Sequence, residues 1–292
     1  MPRLDVRAAS QVPEKNDSQA ADTIRMMRRL PIVVLLVIGL TGCGRDDALE
    51  LTEPPRMVLD GAIPAAPSST TAQPLDTQKR EAFGGLSTAT IPPNTTLVAM
   101  SVGDTDIFET PDGPAPMMTL PHTTILGTVS VFEVVEGPVD GWVMVKVPVR
   151  PNGTQGWVEA TDLMMYRVDG RFVIDLSERQ LTYFEDGDMV LTTPVAVGSK
   201  RNPTPEGDFF VTDNVSLADP GSAWGPHAFG ISARSDTITE YNGGDGIIGI
   251  HGTNRPGSIG NAASLGCIRV PNEVITRLHE MVPIGTPVEI NA

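Results

Sequence analysis

Short apolar segments separated by turn residues make up most of the sequence after residue 96. The segment Gln180–Glu185 alternates polar and apolar side chains, and the dipeptides Asp140-Gly141 and Gly187-Asp188 stand where such segments end. Alternation with a period of two residues is typical of a β-strand with one buried face, and these dipeptides favour tight turns. The 29 Gly and 26 Pro among 292 residues also suit many turns. We therefore predict a mainly β fold.

The first half of this β region, residues 96–166, is predicted to be a small domain of its own. Its predicted strands are Leu97–Val102, Ile107–Glu109, Ile125–Val135, Trp142–Val147 and Gln155–Glu159. The segments Gly141–Val145 and Gly156–Glu159 resemble the closing strands of bacterial SH3-like barrels. This resemblance implies a small SH3-like barrel, and the alternative is an unrelated small β domain.

The second half, residues 167–292, is predicted to be mostly β with a helix near its end. Its predicted strands are Phe172–Asp175, Gln180–Glu185, Met189–Val197, Phe209–Val211, Phe229–Ile231, Ile247–Ile250 and Pro287–Ile290. The helix is predicted over Asn272–Met281 because Val274, Ile275 and Leu278 recur on one side. Asn272 is a suitable residue type for its N-cap.

The N-terminal region carries the pattern of an exported lipoprotein. Arginines at 25, 28 and 29 precede the apolar run Leu30–Leu40, which is too short to span a bilayer but suits a signal peptide. The sequence that follows, Leu40 to Cys43, resembles a bacterial lipobox. The resemblance implies a signal peptide over residues 1–43 and a lipid on Cys43 that anchors the protein to a membrane; the alternative is a buried helix with a chance cysteine. Residues 44–95, rich in Pro, Ala, Ser and Thr, are predicted to be a disordered linker.

The net charge and the spacing of the histidines argue against a nucleic-acid partner and against a metal site. A formal net charge of −15 disfavours a nucleic-acid partner, which would call for a basic surface. The four His, at positions 122, 227, 251 and 279, do not form a metal-binding cluster with the two Cys. We therefore expect no metal and no cofactor, and we expect a monomer.

One segment, Ile250–Val270, combines a histidine and a cysteine in the way that nucleophilic catalysis requires. His251 follows an apolar strand, and Cys267 lies in the small-residue sequence Ser264-Leu265-Gly266-Cys267. A nearby imidazole can lower the pKa of a thiol and raise its thiolate fraction. Lipidation of Cys43 would leave Cys267 as the only thiol. The chemistry favoured by this pair is acyl transfer through a cysteine.

These residues also identify a family resemblance. His251-Gly252-Thr253 followed by Ser264-x-Gly266-Cys267-x-Arg269 resembles the signature of the bacterial L,D-transpeptidases, the YkuD family. The stretch Gly198–Phe209 is similar to the TPxG turn of that family. Many members have a histidine immediately before Gly-Cys, where this chain has Leu265.

The resemblance implies both a fold and a set of site residues. It implies a catalytic β-sandwich with one or two short helices after the small barrel. Cys267 would be the nucleophile and His251 the general base and then acid, oriented by the Gly252 carbonyl. The amides of Gly266 and Cys267 would bind the oxyanion. The predicted substrate-binding residues are Ser264, Arg269, Thr253, Trp224 and Tyr241, although loop packing accounts for Trp224 and Tyr241 equally well.

The implied reaction is the formation of 3→3 crosslinks between peptidoglycan stem peptides, on the outer side of the membrane. Hydrolysis of the same acyl-enzyme, by a carboxypeptidase or a crosslink hydrolase, is an alternative. Attachment of proteins to the wall is another, and a non-catalytic wall-binding lipoprotein is a third. The family's sensitivity to carbapenems would extend to this chain.

Overall fold

The structure is a computed structural model that describes residues 92–241 and 243–292. These residues belong to one compact unit. The predicted signal peptide, Cys43 and nearly all of the predicted linker lie outside the described residues. The strands β1 to β7 are Thr96–Ser101, Thr105–Ile107, Met118–Leu120, Val131–Val139, Trp142–Lys146, Gln155–Glu159 and Leu163–Val168. The strands β8 to β17 are Gly170–Asp175, Gln180–Glu185, Asp188–Pro194, Val197–Gly198, Gly207–Ser216, His227–Arg234, Ile247–His251, Ala262–Ser264, Ile268–Arg269 and Pro287–Asn291. The α-helix α1 is Asn272–Met281. The prediction of a mainly β fold is confirmed.

The N-terminal sheet is antiparallel and has five strands in the order β6-β5-β4-β1-β7. The hairpin of β2 and β3 adds to it through paired backbone hydrogen bonds between Phe108 and Trp157, each 2.8 Å long. Apolar side chains that point inward, including Phe132, Val143 and Val158, are fully buried in a core of their own. Its last strand, β7, was not predicted. The likeness to an SH3 barrel stays a prediction.

The C-terminal sheet has eight strands in the order β10-β9-β8-β17-β12-β13-β14-β16. Its long strand β12 pairs with β17 through residues 207–210 and with β13 from Val211 onward. A register shift between Val211 and Asp213 separates these two stretches. Such an irregularity bends a strand, so β12 passes from one half of the curled sheet to the other.

The two halves of this sheet enclose one hydrophobic core. Phe172 of β8 and Phe229 of β13 pack with their ring centroids 6.1 Å apart. The helix α1 covers the core with Ile275 and Leu278, both fully buried. Its bounds match the predicted helix.

The predicted N-cap of the helix is wrong. Pro271 holds the N-cap position and makes no side-chain capping hydrogen bond. The side chain of Asn272 instead turns away from the helix and accepts a hydrogen bond from the Thr253 amide at 2.7 Å. Asn272 therefore forms a hydrogen bond with a residue 19 positions earlier in the chain instead of capping the helix.

Parallel pairing at the edge of the C-terminal sheet brings the predicted site together. Strands β14 and β16 pair in register, with Ile250 opposite Ile268 and His251 opposite Arg269. The aliphatic pair is fully buried and fixes which way both strands face. The same register puts Cys267, the residue before β16, opposite Gly249, two residues before His251, so Cys267 and His251 lie on the same side of this sheet edge.

The N-terminal sheet also contacts the C-terminal sheet. The phenol of Tyr166 donates to the Ile284 carbonyl at 2.9 Å, and Thr124 donates to the Asp213 carboxylate at 2.5 Å. Val98 and Phe210, one from each sheet, share a buried apolar cluster. Within the described residues no helix is both long and apolar enough to cross a membrane.

Candidate active site

A cleft opens beside the β14–β16 edge and contains the predicted nucleophile and base. Its lining includes Cys267, His251, Arg269, Trp224, Tyr241 and Leu265. A thiol, an imidazole and a guanidinium thus share one partly apolar space. The geometry of each group decides what the cleft can do.

Cys267 is the one free cysteine of the described residues and is partly exposed to the cleft. It follows Gly266, whose φ of +120° is a backbone conformation that favours glycine. Its Sγ accepts a hydrogen bond from the Gly249 amide at 3.4 Å. Sequence reasoning missed Gly249, which has no side chain to mark it.

Burial raises the pKa of the Cys267 thiol above its ordinary value, although the Gly249 amide and Arg269 oppose this effect. The expectation of a raised thiolate fraction is therefore wrong for the resting site. The reason is that a thiolate loses more hydration in this cleft than one amide and one guanidinium replace.

His251 is buried, and its ring contacts the backbone of Gly252 and of Trp224. Its Nδ1 lies 2.6 Å from the carbonyl oxygen of Gly252. A carbonyl oxygen can only accept, so Nδ1 carries the proton and Nε2 keeps a free lone pair. This tautomer is the one that a general base needs.

The imidazole is also neutral at rest. Burial lowers the pKa of His251 to about 4, although its hydrogen bond to Gly252 works in the opposite direction. Both partners are therefore uncharged near pH 7, the thiol because its pKa is raised and the imidazole because its pKa is lowered. The proton must move during the reaction rather than before it.

The Ser264 side chain forms hydrogen bonds that stabilise the turn containing Cys267. Its hydroxyl accepts from the Gly266 amide at 3.1 Å and donates to the Cys267 carbonyl at 2.5 Å. Ser264 is thus occupied by the turn rather than free for substrate. The Gly266 amide is also occupied, which contradicts its predicted oxyanion role. The Cys267 amide has no hydrogen-bond partner among residues 92–241 and 243–292 and is the remaining candidate for that role.

A second hydroxyl, that of Thr204, stabilises the same turn at Gly266. The buried Thr204 donates to the Gly266 carbonyl at 2.7 Å and accepts from the Gly198 amide at 2.9 Å. Thr204 belongs to the stretch that resembles a TPxG turn. That motif was the signal for this residue, but the sequence did not show what the threonine contacts.

Arg269 is the only cation that the described lining of the cleft supplies. In the part of the chain that the structure describes, its side chain makes no salt bridge and its buried Nε has no hydrogen-bond partner. Burial lowers its pKa, but the Cys267 sulfur opposes this. A guanidinium in this state is suited to a carboxylate on a substrate.

Aromatic and aliphatic side chains form the rest of the wall. The Trp224 ring lies 4.5 Å from the His251 ring and 6.4 Å from the Tyr241 ring, measured between centroids. Leu265 is 47% exposed beside the nucleophile. Trp224 and Tyr241 therefore pack on each other and also line the cleft.

Thr253 is placed differently from its prediction as a substrate-binding residue. It is buried and lies outside the cleft lining. Its hydroxyl accepts from the Arg255 amide at 3.0 Å, and its own amide donates to Asn272. Its role in the structure is to shape the turn after His251.

The loop between β5 and β6 of the N-terminal sheet reaches the wall of the cleft through Arg150. Its Nη2 donates to the carbonyls of Asp245 at 2.8 Å and Ile238 at 3.1 Å. Ile238 itself lines the cleft. Nearby, Asn152 exchanges two hydrogen bonds of 2.8 Å with the backbone of Arg234. No sequence signal pointed to this connection. Within the described residues there is no group of three or more His, Cys, Asp or Glu that could hold a metal.

Comparison with known proteins places this site in a family. Residues 169–290 match the family model YkuD, described as the L,D-transpeptidase catalytic domain. The YkuD protein of Bacillus licheniformis is 36% identical over 120 residues, covering 41% of this chain and 64% of that protein. The YkuD protein of Bacillus subtilis is 32% identical over 126 residues, covering 43% of this chain and 68% of that protein.

A solved L,D-transpeptidase from Mycobacterium smegmatis aligns over 56% of this chain and 92% of its own, at 16% identity and a TM-score of 0.34. The assignment rests on the family model and the sequence relatives instead. The first relative is matched over slightly less than two thirds of its length, and the second over slightly more. On this evidence, the chain belongs to the YkuD family of L,D-transpeptidase catalytic domains.

Proposed function

We propose that this protein is a peptidoglycan L,D-transpeptidase that forms 3→3 crosslinks through a thioester on Cys267. The observation that carries the proposal is the shared cleft of Cys267 and His251, with Nε2 left as the free base by the Nδ1 contact to Gly252. The names of the sequence relatives support the same reaction class.

The first half-reaction follows from the neutral resting pair. His251 Nε2 takes the Cys267 proton as the sulfur attacks the carbonyl carbon of the third residue of a tetrapeptide stem. The S–C bond forms, the C–N bond to the terminal D-alanine breaks, and the imidazolium returns the proton to the departing amine. The Cys267 amide would donate to the oxyanion.

The second half-reaction releases the acyl group. The side-chain amine of another stem's diamino acid attacks the thioester and gives a proton to His251. The N–C bond forms, the S–C bond breaks, and the proton returns to sulfur. Water in place of the amine would give a tripeptide, which is the carboxypeptidase alternative.

Arg269 is proposed to hold a substrate carboxylate. Its guanidinium has no counter-ion among the described residues, and its electrostatic influence reaches Cys267. Stem peptides carry a carboxylate on the terminal D-alanine, one peptide bond from the attacked carbon. A single cation beside the sulfur would therefore orient that bond.

Membrane attachment is proposed from the sequence alone. Residues 1–43 would be a lipoprotein signal peptide, Cys43 the lipid-bearing residue, and residues 44–95 a tether. The domain at 96–166 would be SH3-like. This arrangement would hold the catalytic cleft at the cell wall, outside the membrane.

The test is to incubate the full-length protein with purified disaccharide-tetrapeptide and identify the products by mass spectrometry. A crosslinked dimer that has lost one alanine supports the proposal, and it should vanish in Cys267→Ala. Tripeptide without dimer would replace transpeptidation by hydrolysis. The absence of both dimer and tripeptide would refute transpeptidation and hydrolysis alike.

A further inference from the structure

The peptide bond between Gly252 and Thr253 connects the catalytic histidine to the start of the helix. Its carbonyl accepts from His251 Nδ1 at 2.6 Å, and its N–H donates to Asn272 Oδ1 at 2.7 Å. A peptide unit is planar and rigid, so fixing its N–H also fixes the direction of its carbonyl. The two hydrogen bonds form a chain of three groups.

We propose that Asn272 is a positioning residue for His251, acting through the Gly252–Thr253 peptide. The inference rests on the proposed role of His251 as the base. Asn272 would complete a cysteine, histidine and asparagine series in which a backbone peptide stands between the last two members. Hydrogen bonds in such a chain polarise one another and strengthen each member.

Close packing supports a dedicated role for this side chain. A Cβ on Gly252 would lie 2.5 Å from Asn272 Oδ1, and a Cβ on Gly225 would lie 2.6 Å from it. Both distances are too short for a real contact, so the amide oxygen lies directly against two glycine backbones. Gly225 follows Trp224, whose ring packs on His251.

The helix forgoes a side-chain cap to make this contact. Asn272 is the first residue of α1, and the N-cap Pro271 supplies no side-chain hydrogen bond to the helix. An asparagine at a helix start usually serves the helix's own free amides. Here its oxygen serves an amide of the turn after the base instead.

The neutrality of the amide also suits the base. The titratable and charged groups around His251 are Cys267, Tyr241 and Arg269, of which Arg269 contributes to the lowered pKa of the ring. An aspartate at 272 would put a negative charge at the end of the hydrogen-bond chain and favour the imidazolium. Asparagine accepts the same hydrogen bond without charging the base.

The test compares three variants of the full-length protein. Asn272→Leu removes the acceptor and keeps the size, Asn272→Asp keeps an acceptor and adds charge, and Asn214→Leu is the matched control. Asn214 donates to the His279 carbonyl at 3.0 Å, at the other end of the same helix. It therefore reports the effect of loosening the helix without touching the base.

The first readout is independent of any substrate. The tautomer and pKa of His251 are measured by nitrogen-15 NMR of its ring. We expect the Nδ1–H tautomer to be dominant in the wild type, Asn272→Asp and Asn214→Leu, and mixed in Asn272→Leu. We also expect Asn272→Asp to raise the pKa of His251.

The second readout is turnover of the tetrapeptide donor. In Asn272→Leu we expect kcat to fall about tenfold with little change in KM, since one hydrogen bond that orients the base is lost. Asn272→Asp should recover most of that loss, and Asn214→Leu should stay near wild type. An inactive wild type would refute the proposed function but leave the NMR test intact.

An unchanged His251 tautomer in Asn272→Leu would overturn the inference. If that variant does not fold, Asn272→Asp decides the matter, and an unchanged His251 pKa there would overturn it equally. Equal effects of Asn272→Leu and Asn214→Leu on the tautomer would assign Asn272 to helix stability alone.

Discussion

Arg150 and Asp245 are joined by two hydrogen bonds, from Nη2 at 2.8 Å and from Nε at 3.2 Å to one carbonyl oxygen. The contact links positions 95 residues apart. It connects the loop between β5 and β6 to the cleft, because Nη2 also donates to the carbonyl of Ile238, a lining residue. This loop therefore supports the wall of the cleft.

Replacing Arg150 should loosen the cleft wall without disturbing the nucleophile. For Arg150→Ala we expect KM for the tetrapeptide donor to rise by roughly three- to tenfold, in line with the loss of charge-assisted hydrogen bonds near a surface. The alkylation rate of Cys267 by iodoacetamide should stay near wild type. Arg167→Ala, an exposed arginine of β7, is the control. An unchanged KM in Arg150→Ala would show that the cleft wall does not depend on the hydrogen bonds of Arg150.

Removing the Thr204 hydroxyl should disturb the nucleophile turn. Thr204→Val leaves the Gly266 carbonyl and the Gly198 amide without their buried partner, so we expect a loss of about 1–3 kcal/mol in the free energy of unfolding. Acylation of Cys267 should slow as well. Thr192→Val removes an exposed threonine hydrogen bond of 3.2 Å and should change stability far less. Chemical denaturation measures both, and equal effects would contradict the argument.

The neutral thiol and imidazole predict a particular pH dependence of Cys267 alkylation. Because burial raises the pKa of Cys267 and lowers that of His251 to about 4, the rate should climb with pH through neutrality. A resting ion pair would instead give a constant rate over a wide acidic range. Labelling is followed by mass spectrometry of the peptide that contains Cys267, which separates it from Cys43. A flat profile between about pH 5 and 8 would disprove the neutral pair.

His251 should also make stability depend on pH. Its folded pKa is about 4 and its unfolded pKa is ordinary, 6.5, so the unfolded state binds more protons between these values. Stability contributed by the neutral ring is complete above pH 6.5 and is lost as pH falls towards 4, by about 3 kcal/mol in total. The free energy of unfolding of wild type minus that of His251→Gln should shrink by this amount. If the free energy of unfolding depends on pH in the same way for both proteins, the pKa of His251 is not lowered in the folded state.

The sequence predicted the fold class and the pair Cys267 and His251, because both leave local patterns. Strand alternation and helix periodicity are short-range features, and the helix Asn272–Met281 was bounded correctly. The strand β7 was missed even though its burial alternates in the structure, since its own letters, LMMYRV, do not alternate clearly.

The contacts that shape the site were out of reach for a different reason. Asn272 resembles a helix cap in its local context, and only a fold that brings Thr253 beside it reveals its partner. The Gly266 amide looked free because its acceptor is the side chain of Ser264, and the sequence does not show where that hydroxyl points. The thiol pKa was misjudged because burial depends on the whole cleft.

The most direct test of the account is the mass of the Cys267 peptide after brief exposure of the full-length protein to the tetrapeptide donor. We predict an adduct equal to the donor minus one alanine, present in the wild type and absent in Cys267→Ala. Crosslinked product without any adduct on Cys267, or product formation by Cys267→Ala, would contradict the central claim.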